Sequence, residues 1–226
     1  MVGAMCGRYV SRIDGSLERD WALDRTPPAF ESYNVAPAQH VPVVREREGH
    51  RTCELLRWGL VPYWAKGIPP HLSTINARLE TISTAPTYRD PWIRGQRCIL
   101  PALGFYAWQE FQSGKEPYYI TVAEQPLFGM AGVWDYSETA DRVGFDSCAI
   151  ITMPATPFMA QIDNTGQRMP ALLRWEDHQT WLTGSIEAAR ACLRRHPEIR
   201  LRAHPVGTGV NSLRNDDPRL IEAARA

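Results

Sequence analysis

Residues 97–111, RCILPALGFYAWQEF, hold two β patterns back to back. Arg97 to Leu100 opens a short apolar run of the kind that a fully covered strand needs. Pro101 and Gly104 then interrupt it. Beyond Gly104 the residues turn aromatic, with Phe105, Tyr106 and Trp108, and read as a second strand. One strand is expected to be buried and the other to be aromatic, with a Pro-Gly break between them.

Working outward, the same grammar repeats. Downstream, EPYYITVAE and LFGMAGVWD read as strands, and SCAIITMPA (147–155) is a continuous apolar run typical of a covered strand. Upstream, CELLRWGLVPYW (53–64) is a strand leaving into a proline turn. YNVAPAQHVPVV (33–44) passes through turn signals into a strand that ends in the charged turn REREGH. Residues 1–12 read as a short strand, with Tyr9 and Val10 following a turn at Gly7. SLERDWALD (16–24) fits a short helix capped by Ser16, with Leu17, Trp21 and Leu23 facing inward. STINARLETI (73–82) shifts from strand-like to helix-like period. Helices are expected at 175–183, 185–196 and 217–225, started by Asp177, Ser185 and the Asp216-Asp217-Pro218 run, with a last strand in LRAHPVGTGV. Many short strands with inserted and trailing helices predict an α+β fold. The expectation is one domain over residues 1–226, with a curved or barrel-like, mainly antiparallel β core and peripheral helices.

Composition narrows the function. At 226 residues, with 44% hydrophobic and 22% charged content, the chain can bury a sizeable core and is not of disordered type. A net charge of zero does not advertise general adhesion to nucleic acid or acidic membranes. The basic residues are nearly all arginine; only Lys66 and Lys115 are lysines. Arginine is the better fork for phosphate, although codon bias explains the same ratio. The five cysteines are odd in number and form no CxxC pair, and the six histidines show no HExxH pattern, so no metal is assigned. No P-loop, dinucleotide or G-x-S-x-G fingerprint is present, and no cofactor is expected. Neither a signal peptide nor a membrane-spanning apolar run is present, which predicts a cytoplasmic protein.

The first nine residues, MVGAMCGRY, place Cys6 directly after an internal methionine. If translation starts at Met5, or if a leader of residues 1–5 is removed, Cys6 becomes N-terminal. It then carries a free amine and a thiol on adjacent carbons. These titrate near ~8 and ~8.5, so both nucleophilic forms are accessible at neutral pH. Taken singly, the polar candidates have ordinary explanations. Cys6 fits a small buried apolar residue, Asn76 a turn or cap, Arg8 and Arg78 surface ion pairs, and Trp58, Trp64 and Trp108 core aromatics.

Taken together, MCGRY, YNVAPAQ, RWGLVPYWAK, INARLET, YRDPWIRGQRCILPALGFYAW, MAGVWD, AIITMPA, QRMPALL and PVGTGVN stand in the order of one family. The chain resembles the SRAP family, the SOS-response-associated peptidases, also called abasic-site-processing proteins, from Met5 to about Asn211. The resemblance implies binding of single-stranded DNA and capture of abasic sites by an N-terminal cysteine through a thiazolidine. It implies Cys6 and Asn76 as catalytic residues, with Asn76 positioning the Cys6 amine or the sugar. Arg8 and Arg78 would hold phosphates, Asn34 and Pro37 would line the cleft, and Trp64 would stack on a base with Trp58 in support. Glu80 would buttress the cleft. The family's "peptidase" label implies self-removal of residues ahead of the cysteine. A monomer acting on abasic single-stranded DNA, without membrane or metal, is the expected working form.

Two positions depart from the family pattern. The usual glutamate of the G-F-Y-Glu-W stretch is Ala107, and on a strand Gln109 shares its face while Glu110 does not. The usual histidine ahead of RMP is Gly166 in an ungapped alignment, or Asp163 if three residues are inserted. Asp163 is the candidate substitute for proton transfer. A missing general acid or base costs about 10²–10⁴-fold in rate. Three readings stand open: a slow crosslinker, a non-catalytic single-stranded or damaged-DNA-binding relative, and a protein-interaction role on the same fold.

Overall fold

Arg97–Ala102 and Gly104–Phe111 are indeed both strands, and they enter different sheets. The structure, a computed structural model, describes residues 7–70, 73–194 and 199–224. In chain order the strands are β1 (Tyr9–Ile13), β2 (Phe30–Val35), β3 (His40–Arg47), β4 (His50–Trp58), β5 (Asn76–Arg78), β6 (Arg97–Ala102) and β7 (Gly104–Phe111). There follow β8 (Gly114–Val122), β9 (Phe128–Glu138), β10 (Gly144–Pro154), β11 (Arg168–Pro170), β12 (Leu172–Leu173) and β13 (Leu201–Pro205). The helices are α1 (Ser16–Asp20), α2 (Pro86–Ile93), α3 (Pro157–Ile162), α4 (His178–Thr183) and α5 (Ile186–Arg194).

Strands β4, β3, β6, β9 and β10 pair in succession, and β10 returns to pair with β4, so the ring closes into a small barrel. Only the β4–β10 seam of that ring is parallel. The second sheet, in the order β13-β8-β7-β1-β2, is antiparallel throughout. Closure removes the unpaired edges that a flat sheet would expose.

Every residue of β6 is buried because both its faces are covered. Cys98, Leu100 and Ala102 join a core shared with Tyr9, Phe105, Ala107 and Ile120 of the second sheet. Ile99 points the other way, into a cluster formed with Leu17, Trp21, Trp92, Trp181 and Leu193 of the helical layer. The period of two thus serves two cores at once. Gly132 of β9 shows how tight the crossing is. A Cβ there would stand 2.6 Å from Leu100 Cδ1 and 2.9 Å from Cys98 Sγ. Arg97 ties the helices on, donating to the carbonyls of Trp181 and Gly184, where cations suit a helix C-terminus.

The hairpin between β3 and β4 turns on Glu48 and Gly49, both with positive φ, so the charged REREGH stretch is a tight two-residue turn. Several local expectations change. The first helix ends at Asp20 and is preceded by Gly15; the Asp14 carboxylate, rather than Ser16, accepts the Ser16 N–H at 2.8 Å. Residues 79–85 after β5 are turns, and the helix begins only at Pro86, where proline suits the first helical position. The stretch expected as helix 217–225 is a single 3-10 turn, Pro218–Ile221. The last strand stops at Pro205, before a 3-10 turn at Thr208–Asn211. No helix among the described residues is long and apolar enough to cross a membrane.

Candidate functional site

The N-terminal strand is laid directly against β7. The Arg8 carbonyl accepts the Tyr106 N–H at 3.0 Å. Tyr9 and Val10 pair with Phe105 and Gly104, and the same register sets buried Gly7 opposite Ala107. Cys6 itself lies outside the described residues. The site of the family's missing glutamate is therefore the strand position beside the chain that leads to Cys6.

Arg8 and Asn34 are joined to each other and to the C-terminal segment. Arg8 Nη1 donates to Asn34 Oδ1 at 2.8 Å and to the Val210 carbonyl at 2.7 Å. Asn34, buried, donates through Nδ2 to the carbonyls of Ser212 at 3.0 Å and Asn215 at 2.8 Å. Asp216 continues the clasp, accepting the Ser32 hydroxyl at 2.9 Å and the Tyr33 amide at 2.5 Å. Trp108 donates its indole N–H to Asn211 at 2.9 Å. Residues 206–216 thus strap the outer face of the second sheet, where Val206 and Val210 pack on Tyr106 and Tyr119. Burial draws the Arg8 guanidinium below its usual range, though it stays cationic at neutral pH.

Asn76 and Arg78 stand on β5, which runs parallel to β10 in the register Asn76–Ile150 and Arg78–Thr152. Two braces hold that strand. The Trp58 indole donates to the Ile75 carbonyl at 3.0 Å, and the Tyr88 hydroxyl donates to the Asn76 carbonyl at 3.0 Å. Trp58 has no exposure and meets Tyr9 edge-on at 5.3 Å. It therefore offers no face to a base, and its expected contact with DNA becomes a supporting role beneath β5. Arg78 is exposed and, among the described residues, makes no hydrogen bond or ion pair.

Beyond Thr152, Arg168 of β11 grips Glu80 with a two-pronged contact, Nη1 to Oε1 at 2.7 Å and Nη2 to Oε2 at 2.8 Å. Its Nη2 also donates to the Thr152 carbonyl at 2.8 Å. That contact holds the Glu80 carboxyl below its ordinary range, and Arg78 adds to the effect. Glu80 is thus tied to Arg168 as an ion pair. Asp163 accepts the amides of Gly166 and Arg168, both at 3.2 Å, so its carboxylate builds the turn that presents Arg168. The same turn is docked on β7. Gln109 donates to the Gln161 carbonyl at 2.9 Å, and Asn164 exchanges two bonds with the Glu110 backbone, at 3.0 and 2.9 Å. The segments that carry the two departures from the family pattern, β7 and the 161–168 turn, are therefore joined by hydrogen bonds at residues 109 and 110.

Pro37 is exposed in the turn after β2, whose Ala38 amide donates to the Trp58 carbonyl at 2.8 Å. Trp64 sits on a 3-10 turn, Tyr63–Ala65, and is 48% exposed beside an equally open Tyr63. The loop around it is pinned by side chains on the barrel: the Tyr63 amide to Asp135 at 3.0 Å, the Gly67 amide to Ser137 at 2.9 Å and the Val61 amide to Ser147 at 2.8 Å. Ser147 precedes Ile150, the partner of Asn76, by three residues of β10, so the Ser147 and Asp135 anchors lie about 10 Å along the strand from Asn76.

Comparison with known proteins matches residues 5–213 to the family model described as SOS response associated peptidase (SRAP). The chain belongs to the SRAP family. It is 33% identical to the abasic site processing protein YoqW of Bacillus subtilis, covering 97% of this chain and 100% of that one. It is also 33% identical to the abasic site processing protein YoaM of the same organism, covering 97% and 98%. A crystal structure of a Bacteroides thetaiotaomicron protein superposes with a TM-score of 0.81 at 24% identity, covering 97% of this chain and 100% of that one, and shows the shared fold.

Within this SRAP chain one hydrogen-bonded path links the CGR, GFYAW, RMP and NARLE stretches. It runs from the N-terminal segment through β7 and the 161–168 turn to Arg168, Glu80, Thr152 and β5. Arg168, Tyr88 and Asn164 were missed by motif reading. The RMP stretch carries no local signal for the partner of its arginine, since Glu80 lies 88 residues away. Tyr88 acts through its hydroxyl on a backbone carbonyl, which leaves no trace in residue spacing. Among the described residues, no group of three or more His, Cys, Asp or Glu side chains could hold a metal ion.

Proposed function

We propose that this SRAP protein binds single-stranded DNA and captures abasic sites through Cys6 once that residue is N-terminal. Either initiation at Met5 or removal of residues 1–5 supplies that terminus; the second route is the peptidase activity implied by the family name. The observation that carries the reading is the register of β1 on β7, which delivers the N-terminal segment to the path shared with β5 and its Asn76-Arg78 pair. The working form is proposed as a monomeric, cytoplasmic single domain without metal.

The chemistry needs no co-reactant. The α-amine adds to the ring-opened sugar aldehyde, and loss of water leaves an imine. The thiol then adds across the C=N bond: sulfur bonds to carbon, its proton goes to nitrogen, and a five-membered thiazolidine closes. Asn76 orients the amine or the sugar hydroxyl by hydrogen bonding. Arg78 faces a phosphate with its planar fork, Arg168 keeps its own fork on Glu80, and Trp64 stacks on a base beyond the lesion. Arg8 contributes through its Nε and Nη2, since Nη1 is committed to Asn34 and Val210. Ala107 cannot move a proton, and the Asp163 oxygens are taken up by two amides. Capture is therefore slow and release slower. A pure DNA-binding role is the second reading, favoured by the same alanine.

The test is intact-mass analysis after mixing the protein with an oligonucleotide carrying one abasic site. Adduct is expected on chains that begin at Cys6, and none on a Cys6→Ala chain, which still binds reversibly. Adduct on Cys6→Ala would sink the cysteine mechanism. No adduct from a mass-verified Cys6 start would leave the binding role. Installing Ala107→Glu is expected to speed release of the adduct by about 10²-fold, the lower end of general-acid effects. An unchanged release rate would separate Ala107 from slow reversal.

A further inference from the structure

MAGVWD ends on Asp135, the only charged side chain between Phe128 and Ser137 of β9. The side chain is 2% exposed, and both of its oxygens are committed. Oδ2 accepts the Tyr63 amide at 3.0 Å, while Oδ1 accepts Arg94 Nη2 and the Tyr136 amide, each at 3.0 Å. The Arg94 guanidinium in turn lies 5.1 Å from the centre of the Tyr63 ring. One carboxylate therefore holds Tyr63 twice, by its amide directly and by its ring through Arg94. Burial, the largest effect, lifts the Asp135 carboxyl above the usual carboxylate range against the pull of these donors. A charge buried in this way costs stability unless its partners are well placed.

Two uncharged neighbours hold the same loop. Ser137 Oγ accepts the Gly67 amide at 2.9 Å and Ser147 Oγ the Val61 amide at 2.8 Å, and neither serine is exposed. Asp135 pairs with Ser147 across β9 and β10, and Ser137 shares its face of β9, so the three form one buried polar patch under loop 61–67. Trp64 follows Tyr63 in that loop. Its turn is closed by the Ala65 amide on the Pro62 carbonyl at 2.9 Å and ends on Lys66 at a φ of 50°. Among the described residues no ring or guanidinium lies against the half-exposed Trp64 indole. The direction of that indole is therefore set by its backbone, and the backbone is held at Tyr63.

We infer that Asp135 is a positioning residue for single-stranded DNA: it fixes the Tyr63–Ala65 turn so that Trp64 meets a base already oriented. A ring that must be ordered on binding gives up part of its stacking energy to that ordering, whereas a ring on a fixed turn keeps it. Asp135 lies beneath the loop and meets no base itself. The role rests on the proposed stacking of Trp64.

The test is fluorescence anisotropy of a short labelled oligothymidylate, which has no aldehyde, so covalent capture plays no part. The full chain is compared with Asp135→Asn, Trp64→Ala and the double variant. Asp135→Asn keeps the shape but turns an N–H toward a group that already donates. It is expected to weaken binding about fivefold in the parent, the lower end of one stacking contact, and to change nothing once Trp64 is alanine. Charge alone predicts the opposite sign: removing a carboxylate and freeing Arg94 would tighten the hold on phosphates. The inference is overturned if Asp135→Asn leaves the parent affinity unchanged or raises it, or if it weakens the Trp64→Ala chain as much as the parent. If Trp64→Ala itself leaves affinity unchanged, the stacking reading fails and the Asp135 role falls with it. If Trp64→Ala weakens binding and Asp135→Asn does not, only the positioning role fails. Should Asp135→Asn not fold, hydrogen exchange of the parent chain decides: the Tyr63 amide is expected to be protected at least about tenfold, and exchange at the rate of a free amide would remove the fixed turn.

Discussion

Two corners of the molecule use the same residue types in opposite ways. At the strap corner, Arg8 and Asn34 spend hydrogen bonds on carbonyls of residues 210–215. At the β5 corner, Arg78 is exposed beside Asn76, and Arg168 is shared between Glu80 and Thr152. Both corners hold an arginine near an asparagine, and motif order assigned both to DNA. What separates them is backbone supply. The strap brings unpaired carbonyls to Arg8 and Asn34, and buried carbonyls must find donors. At β5 the carbonyls of Ile75, Asn76 and Arg78 are already taken by the Ile150 amide, the Tyr88 hydroxyl and the Thr81 amide, so the arginine is left facing water. A residue type defines what a side chain can bind; the neighbouring backbone decides whether it is still available.

The two tryptophans break this contrast most sharply. Trp58→Ala removes a wholly buried indole, its bond to Ile75 and its contact with Tyr9. The expected cost is about 3–5 kcal/mol of stability, read by denaturant unfolding. Trp64→Ala touches an exposed ring and is expected to change stability by no more than about 0.5 kcal/mol. It is expected instead to cost about 1–3 kcal/mol in single-stranded DNA affinity. If Trp58→Ala leaves stability intact, or if Trp64→Ala leaves affinity intact, the division into inward and outward residues fails at its strongest point.

Asn34→Ala comes next. It orphans the Arg8 contact and the carbonyls of Ser212 and Asn215. Each unsatisfied buried group costs about 1–3 kcal/mol, offset in part by relaxation of the strap. A loss of about 2–3 kcal/mol is expected by equilibrium unfolding. Faster hydrogen exchange at 206–216 would show that the strap is what loosens. A fall in DNA affinity with no loss of stability would return Asn34 to the cleft lining.

Much of the fold was legible because it rests on period and punctuation. The break in residues 97–111 became the switch between sheets, and SCAIITMPA became a barrel strand covered on both faces. The errors lie where tertiary bonds override local pattern. The LETI stretch has helical period but serves turns that carry Glu80 to Arg168. The Asp216-Asp217-Pro218 signal opens only a 3-10 turn, and Asp216 is drawn off to Ser32 and Tyr33. The site was legible as a set of residue types and illegible as a set of directions. Trp58 and Trp64 lie six residues apart in one motif, yet one is core and the other surface. The tie between Gln109 and Gln161 joins segments 52 residues apart and has no local signature.

Arg78 gives the smallest effect and the finest discrimination. Arg78→Gln keeps length and polarity but removes the charge. With no hydrogen bond or ion pair among the described residues to lose, and only a through-space charge effect on exposed Glu80, stability is expected to move by no more than about 0.5 kcal/mol. One phosphate contact fewer releases one counterion fewer. The slope of log affinity against log salt should therefore fall by about 0.7, the single-strand value per contact. Affinity weakens at low salt and converges with the parent at high salt. The same substitution at Arg8 is expected to mix a stability loss with any change in slope, because Nη1 serves the strap. An Arg78 variant with an unchanged slope would mean that its guanidinium does not meet a phosphate. The β5 corner would then be a surface like any other, and the outward direction of its arginine would carry no functional weight.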